Sequence, residues 1–178
     1  MEVFECIRRR RTIREYKKDP IPEDVLEKIL QAGRWSPSSS NSQPWHFVVI
    51  QDSDTRSELG RIATQGPFIS DAALAIVIVM ENAPRPQLDA GRAIQQMELV
   101  AWSEGLGTCF VGVRIEEQQI AVKELLGIPI GPGINNHNAL WIQTNFHQPS
   151  GYSSKRSSRN GSSRKIWGSL ESTFLIGL

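Results

Sequence analysis

Ala73-Leu74-Ala75-Ile76-Val77-Ile78-Val79-Met80 decides how the chain is put together. Every position is apolar, so a strand built from it is hydrophobic on both alternating faces. A strand has that pattern when both of its sides are covered; a half-exposed strand alternates. The flanking sequence supplies the cover. His46-Phe47-Val48-Val49-Ile50-Gln51 is a β-branched run that reads as a second strand. Between the two, Asp52–Ala63 reads as a short capped helix carrying Leu59 and Ile62.

Further out the alternation continues. Pro20-Ile21-Pro22 opens an amphipathic helix with Glu23 and Asp24 at its positive end and Val25, Leu26, Ile29, Leu30 and Gly33 as one stripe. That helix stops before Pro37. Downstream, Pro84 and Pro86 break the chain ahead of a long helix at about Asp89–Glu104. Ala90, Ala93, Ile94, Met97, Val100 and Ala101 fall there at three-and-four spacing, so one face is buried, and Gly105-Leu106-Gly107 ends it. Cys109–Val113 is a third strand, and Glu116–Leu126 a helix stopped by Gly127 and Pro129. Helices and strands taking turns with short connections predict a sheet covered by helices. Strand order and direction do not follow from the pattern, and no internal repeat is found.

Length and composition bound the functional classes. The 178 residues suit one domain, or one subunit of something larger. Hydrophobic residues at 39% are enough for a core, and charged residues at 22% are too few for a fully disordered chain. Twenty basic against nineteen acidic side chains leave a formal charge of +1, which gives no bulk field to attract nucleic acid or an anionic membrane. The longest apolar run is far shorter than the ~20 residues of a membrane helix. The start, Met1-Glu2-Val3-Phe4-Glu5-Cys6, has early acids and no signal-peptide core, so a cytoplasmic protein is expected. Cys6 and Cys109 form no disulfide framework and read as small buried hydrophobes. His46, His137 and His147 are too scattered to ligate a metal, so no metal site is expected.

Two stretches carry candidate chemistry. In Arg8-Arg9-Arg10-Arg11-Thr12-Ile13-Arg14, the basic run can be a solvated helix end, since cations are favoured at helix C-termini. Alternatively, residues 10, 12 and 14 of an extended segment point the same way and make a receptor for a phosphate or an anionic ring. A nucleic-acid patch is a third reading, unsupported by a second basic cluster in residues 1–130. The second stretch, Ser36-Pro37-Ser38-Ser39-Ser40-Asn41-Ser42-Gln43-Pro44-Trp45, puts small hydroxyls and two amides just ahead of a core strand. Pro44 keeps Gln43 extended, so such a loop can offer N–H donors to a polar planar ligand; it can also be an ordinary polar loop.

Taken together, Arg10-Arg11-Thr12-Ile13-Arg14, the amphipathic helix, and Pro37-Ser38-Ser39-x-Asn41-x-Gln43-Pro44-Trp45 resemble the opening of the nitroreductase family of FMN-dependent oxidoreductases. Ser70-Asp71-Ala72-Ala73, Asp89, Gln96-Met97, Gly105-Leu106-Gly107-Thr108 and Leu125-Leu126-Gly127-Ile128-Pro129 continue the resemblance in order, over about residues 3–130. It implies an α+β fold, with a central mixed sheet flanked by helices, and a homodimer binding FMN at the subunit interface. Arg10, Arg11, Thr12 and Arg14 resemble the stretch that holds the phosphate and the pyrimidine edge. Ser38, Ser39 and Asn41 resemble the partner subunit's loop over the cofactor. Gln65 stands where the family has an amide that reaches the flavin; Phe68 replaces a lysine common three residues further on. Val111 and Gly112 resemble the backbone against the N5 side. The implied activity is hydride transfer from NAD(P)H, NADPH included, through flavin N5 to a small electron-poor organic acceptor of nitroaromatic or quinone type. No dedicated acid–base residue is needed, and none is assigned.

Beyond about Ile130 the resemblance stops. Ser150–Ser163 is serine-rich and basic without acids, and it shows neither helical nor strand periodicity. Residues 1–134 are therefore expected to form the family domain, and 135–178 an aberrant or poorly ordered C-terminal segment. An alternative function follows: a flavin-binding module with little turnover because its C-terminal arm is altered. Asn138-Ala139-Leu140-Trp141-Ile142-Gln143 can be spelled AAT-GCC-CTT-TGG-ATA-CAA. Read one nucleotide later, that spelling gives Met-Pro-Phe-Gly-Tyr, a turn that the family carries at this place. A frame slip around Ile128–Asn135 accounts for both observations.

Overall fold

The computed structural model describes residues 1–129 apart from Lys18 and Asn82, together with the backbone of three strands over 140–145, 169–170 and 173–176. The both-sided apolar strand is β2 (Leu74–Met80), and every one of its residues is buried. It pairs antiparallel with β1 (Trp45–Ile50) in the register Trp45↔Met80 to Ile50↔Ala75. Their side chains divide between two cores as the pleat requires. Trp45, Phe47, Val49, Leu74, Ile76, Ile78 and Met80 pack with α2 (Glu23–Arg34) and α4 (Pro86–Ser103). Val48, Ile50, Ala75, Val77 and Val79 pack on the other face with Leu59 and Ala63 of the α3 (Ser53–Ile62) region, Ile69 and Val122 of α5 (Glu116–Leu125). A helix layer thus covers each face of the sheet.

Strand β3 (Thr108–Val113) follows α4, and α1 (Val3–Arg9) packs against α4 near the chain start. Three further strands, β4 (Leu140–Asn145), β5 (Ser169–Leu170) and β6 (Thr173–Ile176), complete the order β3-β4-β2-β1-β6-β5. Among the described residues all ladders are antiparallel. The parallel element of the sheet is an isolated bridge between Thr12 and Thr108.

Two differences from the sequence reading have physical causes. The long helix begins at Pro86 rather than near Asp89, because a proline in the first turn lacks only an N–H that has no helical partner anyway. No element is expected beyond Ile130, yet the backbone of β4 lies between β2 and β3, pairing Ile142 with both Val77 and Val111. Leu140-Trp141-Ile142 is apolar and β-prone, a run too short to outweigh the polar sequence around it when read alone. Gln43, expected extended ahead of Pro44, instead has φ 48°, its N–H turned to the Ser38 hydroxyl at 2.9 Å; elsewhere local chemistry and fold agree. Asp52 accepts a hydrogen bond from the Thr55 N–H at 2.7 Å as the cap of α3. Gly105 (φ 84°) and Gly127 (φ 62°) take the left-handed conformation that ends α4 and α5.

Candidate functional site

The arginine segment lies along the start of β3. Arg10 ends α1 in an extended conformation, and Thr12 bridges to Thr108, with the Ile13 N–H donating to the Thr108 carbonyl at 2.9 Å. The Tyr16 hydroxyl donates to the Ile13 carbonyl at 2.7 Å, and its ring sits 6.1 Å from that of Phe68. Phe68, standing where the family often has lysine, is therefore part of the packing that fixes the arginine segment.

Arg10 is the most constrained cation here. Its side chain is 23% exposed, and its Nη1 is buried with no hydrogen-bond partner among the described residues. The nearest carboxylate, Glu98 Oε2, is 3.6 Å away and itself nearly buried on α4. Glu98 Oε1 also lies 3.5 Å from the Thr108 hydroxyl. Arg11 is exposed and turns back, its Nη1 donating to the carbonyls of Arg8 and Arg10 at 2.9 Å each. Arg14 is exposed and reaches toward Cys109. Burial pushes the Cys109 thiol above its ordinary value; the Arg14 and Arg10 charges oppose this, and Glu98 adds to it.

Gln65 is exposed in the turn after α3, and the next residue, Gly66, presses against Val111. A Cβ on Gly66 would meet the Val111 methyls at 2.8 and 2.9 Å, so only glycine permits this approach. Val111 is buried below; the next residue, Gly112, faces the opposite way. A Cβ there would meet only the Phe110 and Arg114 side chains, at 3.5 Å or more. Thr12 thus lies at the start of β3 with Arg10 and Arg14 near Thr108 and Cys109, the Gln65 turn lies against Val111 further along, and Gly112 faces the opposite side.

Ser38, Ser39 and Asn41 are held elsewhere. Their loop makes a short 3₁₀ turn over Ser39–Asn41 and is fixed to Asp89 in the first turn of α4. Asp89 and Glu98, the α4 neighbours of Ser39 and Arg10, are nine residues apart, about 13 Å along a helix axis. Sequence reasoning missed Glu98 and the clamp role of Asp89. The available signal was an acid interrupting the apolar stripe between Met97 and Ala101.

Among the described residues no His, Cys, Asp or Glu cluster suited to a metal is found, and no helix is long and apolar enough to cross a membrane.

The chain matches the nitroreductase family over residues 7–86 and 67–137. It is 33% identical over 135 residues to a Methanothermobacter thermautotrophicus protein named as an NADH dehydrogenase/NAD(P)H nitroreductase, covering 72% of this chain and 71% of that one. An Archaeoglobus fulgidus protein of the same name is 34% identical over 139 residues, 72% of this chain and 78% of its own. The fold is similar to that of an FMN-dependent nitroreductase of Clostridium difficile, with TM-score 0.72, 28% identity and coverage of 87% and 91%. The family match spans β1, β2, α4 and β3, and with these relatives it shows that the chain belongs to the nitroreductase family.

Proposed function

We propose that this chain is an FMN-dependent oxidoreductase that takes hydride from NAD(P)H and reduces small electron-poor organic molecules of nitroaromatic or quinone type. The observation that carries the reading is the Arg10 guanidinium, held at the edge of β3 with a buried N–H that no described group accepts. A buried donor of that kind has a free-energy reason to take up an anionic acceptor. Arg11 and Arg14 beside it make the donor set fit a phosphate and an electron-rich ring edge, since fixed guanidiniums bind such groups through charge-assisted hydrogen bonds.

Arg10 and Arg11 are the anchors for the phosphate, and Thr12, next in the chain, adds a hydroxyl. Arg14 is the cation for the ring edge that gains negative charge on reduction. Gln65 adds an amide, and the Val111–Gly112 backbone offers a face that no side chain of its own obstructs. Bound there, FMN supplies hydride acceptance at N5 and onward delivery of electrons.

Ser38, Ser39 and Asn41 complete the site from a second copy of the chain. Two observations support a homodimer: the roughly 13 Å along α4 between the two halves of the site, and the outward apolar face of α1. Val3, Phe4 and Ile7 on that face are 69, 72 and 60% exposed in the single chain.

The assignment of residues 1–134 to the family domain and 135–178 to an altered segment is also part of this proposal. The family match ends at residue 137, one residue before the point from which the shifted reading restores the Met-Pro-Phe-Gly-Tyr turn. That observation favours one second reading, a flavin-binding module with little turnover. Sequencing the gene across codons 125–145 decides the frame slip; an uninterrupted frame with a different spelling of 138–142 removes it. The function itself is tested by NADH and NADPH oxidation with a nitroaromatic and a quinone. Oxidation stimulated by either acceptor is expected. A yellow protein without turnover selects the module, and a colourless inert one removes both readings.

A further inference from the structure

Asp89 is a fully buried carboxylate whose hydrogen bonds lead out of its own helix. Both of its oxygens accept from the Ser39 backbone N–H at 3.1 Å, and Oδ1 accepts from the Ser39 hydroxyl at 3.3 Å. Arg92, one turn on, is its cationic neighbour at 3.3 Å. The loop held in this way is conformationally unfavourable. Ser40, Asn41 and Gln43 have φ of 55°, 53° and 48°, the left-handed region that L-residues avoid. Asparagine tolerates that region; Ser40 and Gln43 have no such preference.

Inside the loop the Gln43 N–H donates to the Ser38 hydroxyl at 2.9 Å. At its start, the Ser36 hydroxyl donates to Gln96 Oε1 at 2.9 Å. The loop is thus tied to α4 at two points seven residues apart, and of these two the Asp89 contact is the one at Ser39, next to the left-handed Ser40 and Asn41. The same loop carries Ser38, Ser39 and Asn41, the residues assigned above to the cofactor.

We propose that Asp89 is a positioning residue: its carboxylate holds the Ser38–Gln43 loop in its left-handed conformation, and that conformation lets Ser38, Ser39 and Asn41 complete the FMN site. The inference rests on the proposed function. A charge-assisted pair of contacts offsets the backbone strain, so the loop is ordered before the cofactor arrives and little binding free energy goes into ordering it.

Asp89→Asn keeps the size of the side chain but removes its charge and leaves one accepting oxygen where there were two. Two readouts separate positioning from a general contribution to helix stability. In the apoprotein, the Ser39 and Gln43 amides are expected to exchange with solvent about tenfold faster in Asp89→Asn than in the wild type. The FMN Kd is expected to rise about tenfold. Adding Ser40→Gly, which removes the cost of φ 55°, is expected to recover about threefold of that loss. A carboxylate acting only on the helix would show no such rescue.

If Asp89→Asn does not fold, Ser40→Val strains the same loop from an exposed position and is expected to weaken FMN binding by itself. Unchanged FMN affinity in Asp89→Asn or in Ser40→Val overturns the proposal, as does a loss that Ser40→Gly leaves unrecovered. A wild-type protein that takes up no FMN overturns the proposed function and the cofactor half of this inference. Amide exchange then still decides whether Asp89 holds the loop.

Discussion

Arg10 shows how a single residue carries more information in the fold than in the sequence. In the sequence it is one of four consecutive arginines, equally suited to a solvated helix end. In the fold those four part company: Arg8 and Arg9 pair with the half-buried Glu5 on α1, Arg11 caps the helix, and Arg10 alone turns toward the buried Glu98. The helix-end reading is thus right for the first two, and the anion-site reading rests on Arg10 and Arg14 with Arg11 beside them. Replacing both, Arg10→Ala with Arg14→Ala, should give a folded protein that has lost FMN. Each charged contact is worth about 1.5–3 kcal/mol, at least a tenfold loss of affinity apiece. Full flavin occupancy in the purified double variant would refute the assignment.

Cys109, beside the same cluster, makes a separate prediction at this scale. Burial holds its thiol pKa above the ordinary value, so the protonated form persists further into alkaline solution than for a free cysteine. Alkylation by iodoacetamide at neutral pH should therefore spare Cys109 until the chain is unfolded. Its modification in the native protein, detected by peptide mass, would contradict this.

At the scale of elements, legibility follows the distance over which the deciding interaction acts. The both-sided hydrophobicity of β2 and the stripes of α2 and α4 are local patterns, so they are visible in sequence and return as two cores. Capping is equally local, as Asp52, Gly105 and Gly127 demonstrate. The strap between Ser39 and Asp89 joins residues fifty positions apart, and no local pattern announces it. The same holds for Thr12 against Thr108, which puts the arginine segment on β3.

Gly33 gives this scale its test. It reads as one more small residue in the α2 stripe, but a Cβ there would meet the Phe47 ring at 2.8 Å and Met97 Sδ at 2.9 Å. Met97 can move aside more easily than a ring buried in the sheet. Gly33→Ala should therefore destabilise the protein by about 1–3 kcal/mol, despite alanine's better helix propensity. Chemical denaturation measures it, and a stabilised variant would show that α2 packs less closely on β1 than described.

For the whole molecule, strand order gives the C-terminal segment a consequence that its composition does not. Read alone, the segment from about Asn135 is expected to add little stability. Yet β4 stands between β2 and β3, and it is the strand through which β3 joins the sheet. Truncation after Gly133 removes that link and leaves β3, the strand beneath the candidate site, with no strand-type pairing among the described residues except its bridge to Thr12. The truncated chain should melt lower than the full one and lose FMN. A shortened protein of unchanged melting temperature and flavin affinity would show that β4 contributes nothing to the sheet.

The central claim is that two copies of this chain build the FMN site together, Arg10 and Arg14 from one and Ser38–Asn41 from the other. Sedimentation velocity of the purified protein, followed in the visible absorption band of the flavin, examines composition and cofactor at once. A single boundary at the mass of a dimer, carrying one flavin per chain, is the predicted result. Flavin travelling at full occupancy with a monomer, or a dimer that carries no flavin after incubation with FMN, would contradict it.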